Sequence, residues 1–319
     1  PILASDSGQH LLQRLQALEA ADALPRVRAL ALREVLRHHT YQDRLAQVVS
    51  RILQKDAPAK GPQVVVLSRV KDTEQLSHVL AQFAQQTHAR RRLVLVGEPG
   101  LQPESLPEQV RWLDLNASQD VMLHELATGP YWLAVMVPDD HYAAHYLEDL
   151  ALATLYAHTP VVGKGSRFVW VQSQQQVMQQ HADQAYRPVD QLPARCSLKS
   201  SEALESMSVR DWIRDLYKKT YPETGLAIDP YNYCLNGQGL TAVQQQQVDS
   251  GLALDTGVGF TRLQQFADQL SIDGFSQGGE GRLLGVDVLQ ALFPRVRKQS
   301  RVTCAVTAGQ MVFNSTLAD

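Results

Sequence analysis

Two adjacent carboxylates, Asp139 and Asp140, follow an apolar run over residues 131–137. In open α/β sheets, ligands bind beyond the carboxyl ends of the strands. Hard divalent cations such as Mg²⁺ and Mn²⁺ take oxygen ligands and often share them with substrate phosphates. Position and residue type therefore indicate a site for a metal and a phosphate. The same pair is also typical of an N-cap for the following helix, which carries Leu147.

The segments around this pair alternate between strand-like and helix-like patterns. Short apolar runs predict five buried strands, at residues 64–67, 93–96, 110–113, 131–137 and 160–163. Apolar residues at helical spacing predict three helices between them, at 73–86, 118–127 and 144–157. Strands that alternate with helices imply an α/β fold with a mixed, mostly parallel sheet flanked by helices.

The two ends of the chain have different textures. Residues 8–53 are predicted to be helical, with Pro25 at a first helical position and Thr40 capping a helix together with Asp43. From Gly237 onward, frequent glycines predict a less regular module. We therefore expect three parts: a helical segment at 1–56, a central domain at 62–236 and a C-terminal module of unknown role at 237–319.

Composition excludes several classes of protein. The 319 residues are 44% hydrophobic and 20% charged, which is ordinary for a soluble globular chain. The net charge of -3 offers no basic field to hold a nucleic acid. No apolar run approaches the ~20 residues of a membrane helix, and the start lacks a signal peptide. We expect a cytoplasmic protein, free or at the inner face of the membrane, and a piece of a longer polypeptide.

Three cysteines, Cys196, Cys234 and Cys304, are far apart in the sequence. Their odd number and the lack of a C-x-x-C pair argue against a disulfide framework and against a structural zinc site. We expect buried or half-buried thiols in a reducing compartment.

Five segments, in a fixed order, carry a resemblance to a known family. Residues 64–69 (VVVLSR) and 85–87 (QQT) match its opening strand, "S-x-x-R/N" and "Q-T". Residues 139–150 are similar to "D-x-D-D-Y-Y-x-x-x-Y-L-E-D-L", a metal-binding stretch. Residues 208–212 and 228–233 resemble the closing "S-D-x-D-F-L" and "I-Y-S-x-D-x-F-N-Y". The family is that of the inverting GT-A glycosyltransferases, including members that build bacterial surface polysaccharides.

This resemblance covers most of residues 62–236, and it implies a function. A sugar would move from a nucleotide-sugar donor to a glycan acceptor, with Mg²⁺ or Mn²⁺ as cofactor. Asp139 would hold the metal, and Asp140 would assist the metal or the donor sugar. Ser68 and Arg69 would lie beside the nucleotide, and Asp211 would be the general base that deprotonates the acceptor hydroxyl.

The match departs from the family at two positions. The first aspartate of the metal motif falls on Val137, so Asp139 and Asp140 alone remain. The loop after the second strand usually carries an aspartate that helps to hold the nucleotide base, and Glu98 is the acidic residue of that loop here. An alternative follows from these losses: a degenerate, non-catalytic scaffold that binds a glycan or assembles with a partner.

Three weaker patterns complete the sequence-based expectations. Residues 33–41 with Arg44 resemble the closing stretch of GT-B glycosyltransferases, which implies a tandem transferase module, and a homo-oligomer is a further expectation. Residues 163–165 (GKG) indicate either a phosphate-binding loop or a bend after a strand with Lys164 exposed. Residues 252–257 match an aspartic protease signature, but a single copy would need a dimer to pair its carboxylates.

Overall fold

The computed structural model describes residues 8–20, 23–53, 60–250, 300–307 and 310–317. It begins with three helices: α1 (Gly8–Ala20), α2 (Leu24–His38) and α3 (Tyr41–Leu53). The helical prediction for the described part of this segment is confirmed. Pro25 lies in the first turn of α2. At the start of α3, the Thr40 N–H donates to Asp43 Oδ2 at 2.7 Å, and the Asp43 N–H donates back to Thr40 Oγ1 at 3.3 Å.

A large sheet is the main feature of residues 60–250. The strands of residues 60–250 are β1 (Val64–Arg69), β2 (Arg91–Gly97), β3 (Val110–Asp114), β4 (Trp132–Val135), β5 (His141–Tyr142), β6 (Val161–Gly163), β7 (Arg167–Val171), β8 (Gln176–Gln180), β9 (Pro188–Val189), β10 (Leu192–Pro193), β11 (Ser197–Ser200), β12 (Thr220–Tyr221), β13 (Gly225–Ala227) and β14 (Tyr233–Leu235). Eight of them pair in the order β3-β2-β1-β4-β11-β6-β13-β9. β3, β2, β1 and β4 are mutually parallel, and β11 runs antiparallel to both of its neighbours. The mixed, mostly parallel sheet is as predicted.

Helices cover both faces of the central strands, whose side chains are buried on both sides. Along β1, Val64 and Val66 face the core that contains α4 (Thr73–Ala84) and α5 (Tyr146–Ala153). Val65 and Leu67 face the opposite core, against α6 (Val209–Arg214). Side chains alternate between the faces of a strand, so an uninterrupted apolar run is required where both faces are covered.

One predicted helix is wrong. Residues 118–127 form two short 3₁₀ turns, Ala117–Gln119 and Leu123–Glu125, instead of an α-helix. Their backbone bonds to a distant segment: the Val209 N–H donates to Val121 O at 2.8 Å, and the Leu123 N–H donates to Met207 O at 3.1 Å. These long-range bonds use backbone groups that a helix would have paired locally.

A second, four-stranded sheet has the order β5-β14-β7-β8. Its glutamine-rich strand, β8, is largely exposed. A short helix, α7 (Ala242–Val248), follows β14. Two cysteines are buried free thiols as expected, Cys196 beside β11 and Cys234 in β14.

Buried charges attach α2 to the sheet domain. Arg33 of α2 binds Asp149 of α5 through two hydrogen bonds, Nε to Oδ1 at 2.5 Å and Nη2 to Oδ2 at 2.9 Å. Lys164 Nζ lies 3.1 Å from Asp229 Oδ1 and 3.9 Å from Asp149 Oδ2, and Asn232 Nδ2 donates to Asp149 Oδ2 at 2.7 Å. We call these five residues the anchor network. Lys164 has no exposed surface, so the expectation that it is exposed is wrong.

The chain divides into two compact units, Pro1–Asp255 and Thr256–Asp319. In the second, the described residues form an antiparallel hairpin of β15 (Ser300–Thr307) and β16 (Gln310–Leu317). The protease-like residues 252–257 and most of the glycine-rich stretch lie outside the described residues. Among the helices that the structure describes, none has the length and apolar character to cross a membrane. The predicted boundaries at residues 56 and 236 stay predictions.

Candidate functional site

The pairing of β1 with β4 brings two predicted segments to one edge of the sheet. The strands are parallel, and Leu67 lies opposite Val135. Ser68 and Arg69 therefore end β1 beside the chain that leads to the turn at Asp139. This is the carboxyl edge of the parallel strands, where ligands of open α/β sheets bind.

Asp140 is the centre of a closed group of hydrogen bonds. Arg195 binds its carboxylate through two nitrogens, Nε to Oδ2 at 2.7 Å and Nη2 to Oδ1 at 2.5 Å. The Tyr233 hydroxyl donates to Oδ2 at 2.7 Å, and the Asn236 N–H donates to Oδ1 at 2.7 Å. We call Asp140, Arg195, Tyr233 and Asn236 the turn cluster. Both carboxylate oxygens are thus occupied by donors within the chain.

Burial and charge oppose each other in the turn cluster. Burial raises the pKa of Asp140, and the charge of Arg195 and the donated hydrogen bonds act against that rise. For Arg195, burial alone would lower the pKa, but the nearby Asp140 charge more than offsets it and the net pKa is raised. Because every polar contact to the carboxylate is a donor, we infer an ion pair at neutral pH.

Asp139, the neighbouring carboxylate, is partly exposed. Its backbone oxygen accepts a hydrogen bond from the Gln238 N–H at 3.0 Å. Its side chain lies near the Tyr217 hydroxyl. Burial raises the pKa of that hydroxyl most, and the charge of Asp139 and a hydrogen bond with it add to the rise, to about 12. The capping alternative is wrong, since His145 occupies the N-cap of α5. In the part of the chain that the structure describes, no group of three or more His, Cys, Asp or Glu could hold a metal.

Ser68 and Arg69 face opposite sides of the sheet, as consecutive strand residues must. Ser68 is fully buried, and its hydroxyl has no hydrogen-bond partner within the described residues. Arg69 is partly exposed. A buried hydroxyl without a partner is uncommon in native proteins, and its full burial keeps Ser68 from direct contact with solvent.

Glu98 is exposed directly after β2. The preceding Gly97 is required for packing, because a Cβ there would lie 2.5 Å from the Trp112 ring. The Trp112 side chain therefore crosses the end of β2, and the loop that carries Glu98 starts beyond it.

Asp211 lies in the first turn of α6 and is partly exposed. Its carboxylate accepts from Ser208 Oγ at 2.9 Å and from Arg214 Nη2 at 2.6 Å. Ser208 in turn caps the helix by accepting from the Asp211 N–H at 3.1 Å. The partners of the predicted base thus belong to its own helix and not to the turn cluster.

No sequence pattern indicated Arg195 or Tyr217. Neither lies in a segment that resembles the glycosyltransferase motifs, and no periodicity singles them out. Tyr233 lies within one resembling segment, residues 228–233, but only its hydrogen bond to Asp140 shows what it contacts.

Comparison with protein-family models finds no matching family, and comparison with curated proteins finds no matching protein. Any family assignment therefore rests on the sequence motifs.

Proposed function

We propose that the sheet domain binds a nucleotide-sugar at the carboxyl ends of β1 and β4 and transfers the sugar to a bacterial surface glycan. The observation that carries this proposal is the convergence of Ser68, Arg69, Asp139 and Arg195 on one edge of a mostly parallel sheet. Of these, Arg69, Asp139 and Arg195 supply guanidinium and carboxylate groups for a sugar diphosphate.

Some of these residues would contact the substrate directly, and others would act through a neighbouring side chain. Arg69 would bind the nucleotide, Ser68 would lie beside it without direct contact, and Glu98 would lie beside its base. Asp140 would act through Arg195, because its own oxygens are already occupied. Asp211 would remove the proton from the acceptor hydroxyl.

The expected Mg²⁺ or Mn²⁺ fits the site in a restricted way. Val137 replaces one carboxylate and Asp140 is committed to Arg195, so Asp139 is the available oxygen ligand of the motif. One carboxylate suits a cation that arrives together with diphosphate oxygens. Such a cation would offset the charge of the departing nucleoside diphosphate.

Thermal unfolding in the presence of UDP, GDP, CMP or dTDP, each with and without Mn²⁺, tests the proposal. A ligand at about 100 times its dissociation constant adds about 2.7 kcal/mol to the native state, which raises the midpoint clearly. We expect a shift with one nucleotide that Mn²⁺ increases and that Asp139→Ala reduces. Asp183→Ala, which removes an exposed carboxylate elsewhere, is the matched control. Absence of a shift with every nucleotide would refute nucleotide binding.

Transfer itself is tested separately. Asp211→Asn should lower the transfer rate by about 10²–10⁴-fold and leave nucleotide affinity unchanged, since only proton removal is lost. Full transfer by this variant would remove Asp211 from the mechanism.

A second candidate function is a binding scaffold without catalysis. It is favoured by the partners of Asp211, which lie within its own helix, and by the saturated carboxylate of Asp140. A protein that binds an oligosaccharide equally well with and without nucleotide, and transfers nothing, would support this alternative.

A further inference from the structure

Tyr217 stands out beside the turn cluster because it is a large aromatic residue that remains 41% exposed. The Arg195 guanidinium lies over its ring, with Cζ 5.2 Å from the centroid. One side of the ring is thus covered by a charged group, and a large part of the residue still meets solvent.

The loop that carries Tyr217 is held in place on both sides. Leu216 is buried in the core, with 2% of its surface exposed. On the other side, Lys219 O accepts a hydrogen bond from the Ala194 N–H at 2.9 Å, next to Arg195. The Tyr217 hydroxyl lies close enough to the Asp139 carboxylate for its charge to help raise the pKa of Tyr217. An exposed ring fixed in this way loses little conformational entropy when a ligand binds.

The groups around the ring match the chemistry of a pyranose. A hexopyranose presents C–H bonds on its faces and hydroxyl groups around its rim. The tyrosine ring offers a flat apolar surface for such a face. Asp139 oxygens can accept from sugar hydroxyls, and Arg195 Nη1, the guanidinium nitrogen not bound to Asp140, can donate to them.

We propose that Tyr217, flanked by Asp139 and Arg195, is the stacking platform for a hexopyranose ring at this site. The inference rests on the proposed function, in which that sugar belongs either to the donor or to the glycan acceptor. It assigns the recognition of the sugar to a residue outside every segment that resembles the glycosyltransferase motifs.

The experiment compares Tyr217→Ala with the unaltered protein in calorimetric titrations. The probes are the nucleoside diphosphate that stabilises the protein, its glucose, galactose, mannose and N-acetylglucosamine conjugates, and neutral oligosaccharides of the same sugars. We expect Tyr217→Ala to lower the affinity for a sugar-containing probe by about 3- to 10-fold. The affinity for the free nucleoside diphosphate should stay within about 2-fold of that of the unaltered protein. Loss with the conjugates assigns the platform to the donor sugar, and loss with the oligosaccharides assigns it to the acceptor.

Two variants keep the test specific. Tyr217→Phe retains the ring and should keep most of the affinity. Tyr186→Ala removes a tyrosine of nearly equal exposure, 42%, that lies near Asp229 and Asp149, and should leave the affinity for every probe unchanged. Equal affinities of Tyr217→Ala and the unaltered protein for every sugar probe would overturn the platform while leaving nucleotide binding intact. Lack of nucleotide binding by the unaltered protein would instead refute the proposed function.

Discussion

The anchor network and the turn cluster are two buried ionic groups that differ in their access to solvent. In the anchor network, Arg33, Asp149, Lys164 and Asp229 each have side chains at most 9% exposed. In the turn cluster, Asp140 has no exposed surface, but the Arg195 side chain is 11% exposed and borders Tyr217 and Asp139.

This difference indicates different roles. In the anchor network the buried charges are paired with one another, and this pairing positions the segments that carry them. The anchor network joins α2, α5 and the chain at 229–232, and its two cations and two anions balance. The turn cluster is also closed at Asp140, but it has an open rim, which consists of Arg195 and the neighbouring Tyr217 and Asp139. We therefore expect the anchor network to govern stability and the rim of the turn cluster to govern binding.

The largest expected effect is that of Lys164→Met. It leaves Asp229 buried without its cation, which should lower the free energy of unfolding by about 3–5 kcal/mol at pH 7. Burial already raises the pKa of Asp229, against the opposing charge of Lys164, so the loss should shrink at pH 5 as the orphaned carboxyl takes up a proton. Urea titrations at both pH values measure it. Lys218→Met, at an exposed position, is the control, and its free energy of unfolding should stay within about 0.5 kcal/mol of that of the unaltered protein.

Arg195→Met should lower the free energy of unfolding by less, about 2–3 kcal/mol. Tyr233 and Asn236 still donate to Asp140 in this variant, and the site is closer to water. Its control is Arg214→Met, since the Arg214 side chain is 68% exposed and its pair with Asp211 should contribute under about 1 kcal/mol. If Arg195→Met cost as much as Lys164→Met, the contrast in solvent access between the two groups would be lost.

Two neighbouring buried tyrosines differ in whether their hydroxyl groups are hydrogen-bonded. Tyr233 and Tyr146 are both fully buried, with ring centroids 5.8 Å apart. Tyr233→Phe removes a donor to a carboxylate and should cost about 1.5–3 kcal/mol. Tyr146→Phe should be nearly neutral, because the Tyr146 hydroxyl has no hydrogen-bond partner among the described residues. Guanidinium denaturation of the two variants measures this difference, and equal losses would contradict it.

The last expected effect depends on pH and concerns the edge of the anchor network, where Arg37 of α2 binds Glu148. Burial alone would raise the pKa of Glu148, but hydrogen bonds from His145, Arg37 and Thr87 more than offset it and lower the pKa to about 2. A lowered pKa adds stability above the unfolded value of about 4.3, and that stability is lost as the pH falls toward 2.

Unfolding free energies between pH 5 and pH 3 check this contribution. Glu148→Gln should make stability fall less steeply with decreasing pH than in the unaltered protein. Identical slopes in the two proteins would mean that Glu148 is not held ionised by these donors.

How far the sequence could be interpreted depended on the range of the contacts. The strand at 64–67 and the helix at 73–86 were predicted because apolar spacing is a local property. The helix at 118–127 failed because its backbone bonds to residues 207–209. Lys164 was misjudged for the same reason: its partner Asp229 lies 65 residues away.

The candidate site shows the same division. The sequence placed Asp139 and Asp140 after a strand and Ser68 and Arg69 at the end of another, and their convergence follows from parallel pairing. It could not distinguish the two aspartates, because what occupies the oxygens of Asp140 comes from elsewhere in the chain. The roles of Asp139, Asp211 and Glu98 stay predictions.

The sequence by itself determined the α/β fold class, the N-terminal helices and the edge of the sheet where chemistry is expected, because hydrophobic period and strand ends are local features. Only the tertiary structure decided that Asp140 is closed and Asp139 open. The donors to Asp140 come from Arg195 and Asn236, 55 and 96 residues away, and no local pattern reports contacts over such separations. Burial explains this difference. A buried carboxylate is costly unless donors pair with it, whereas a partly exposed one is solvated and free to bind a ligand.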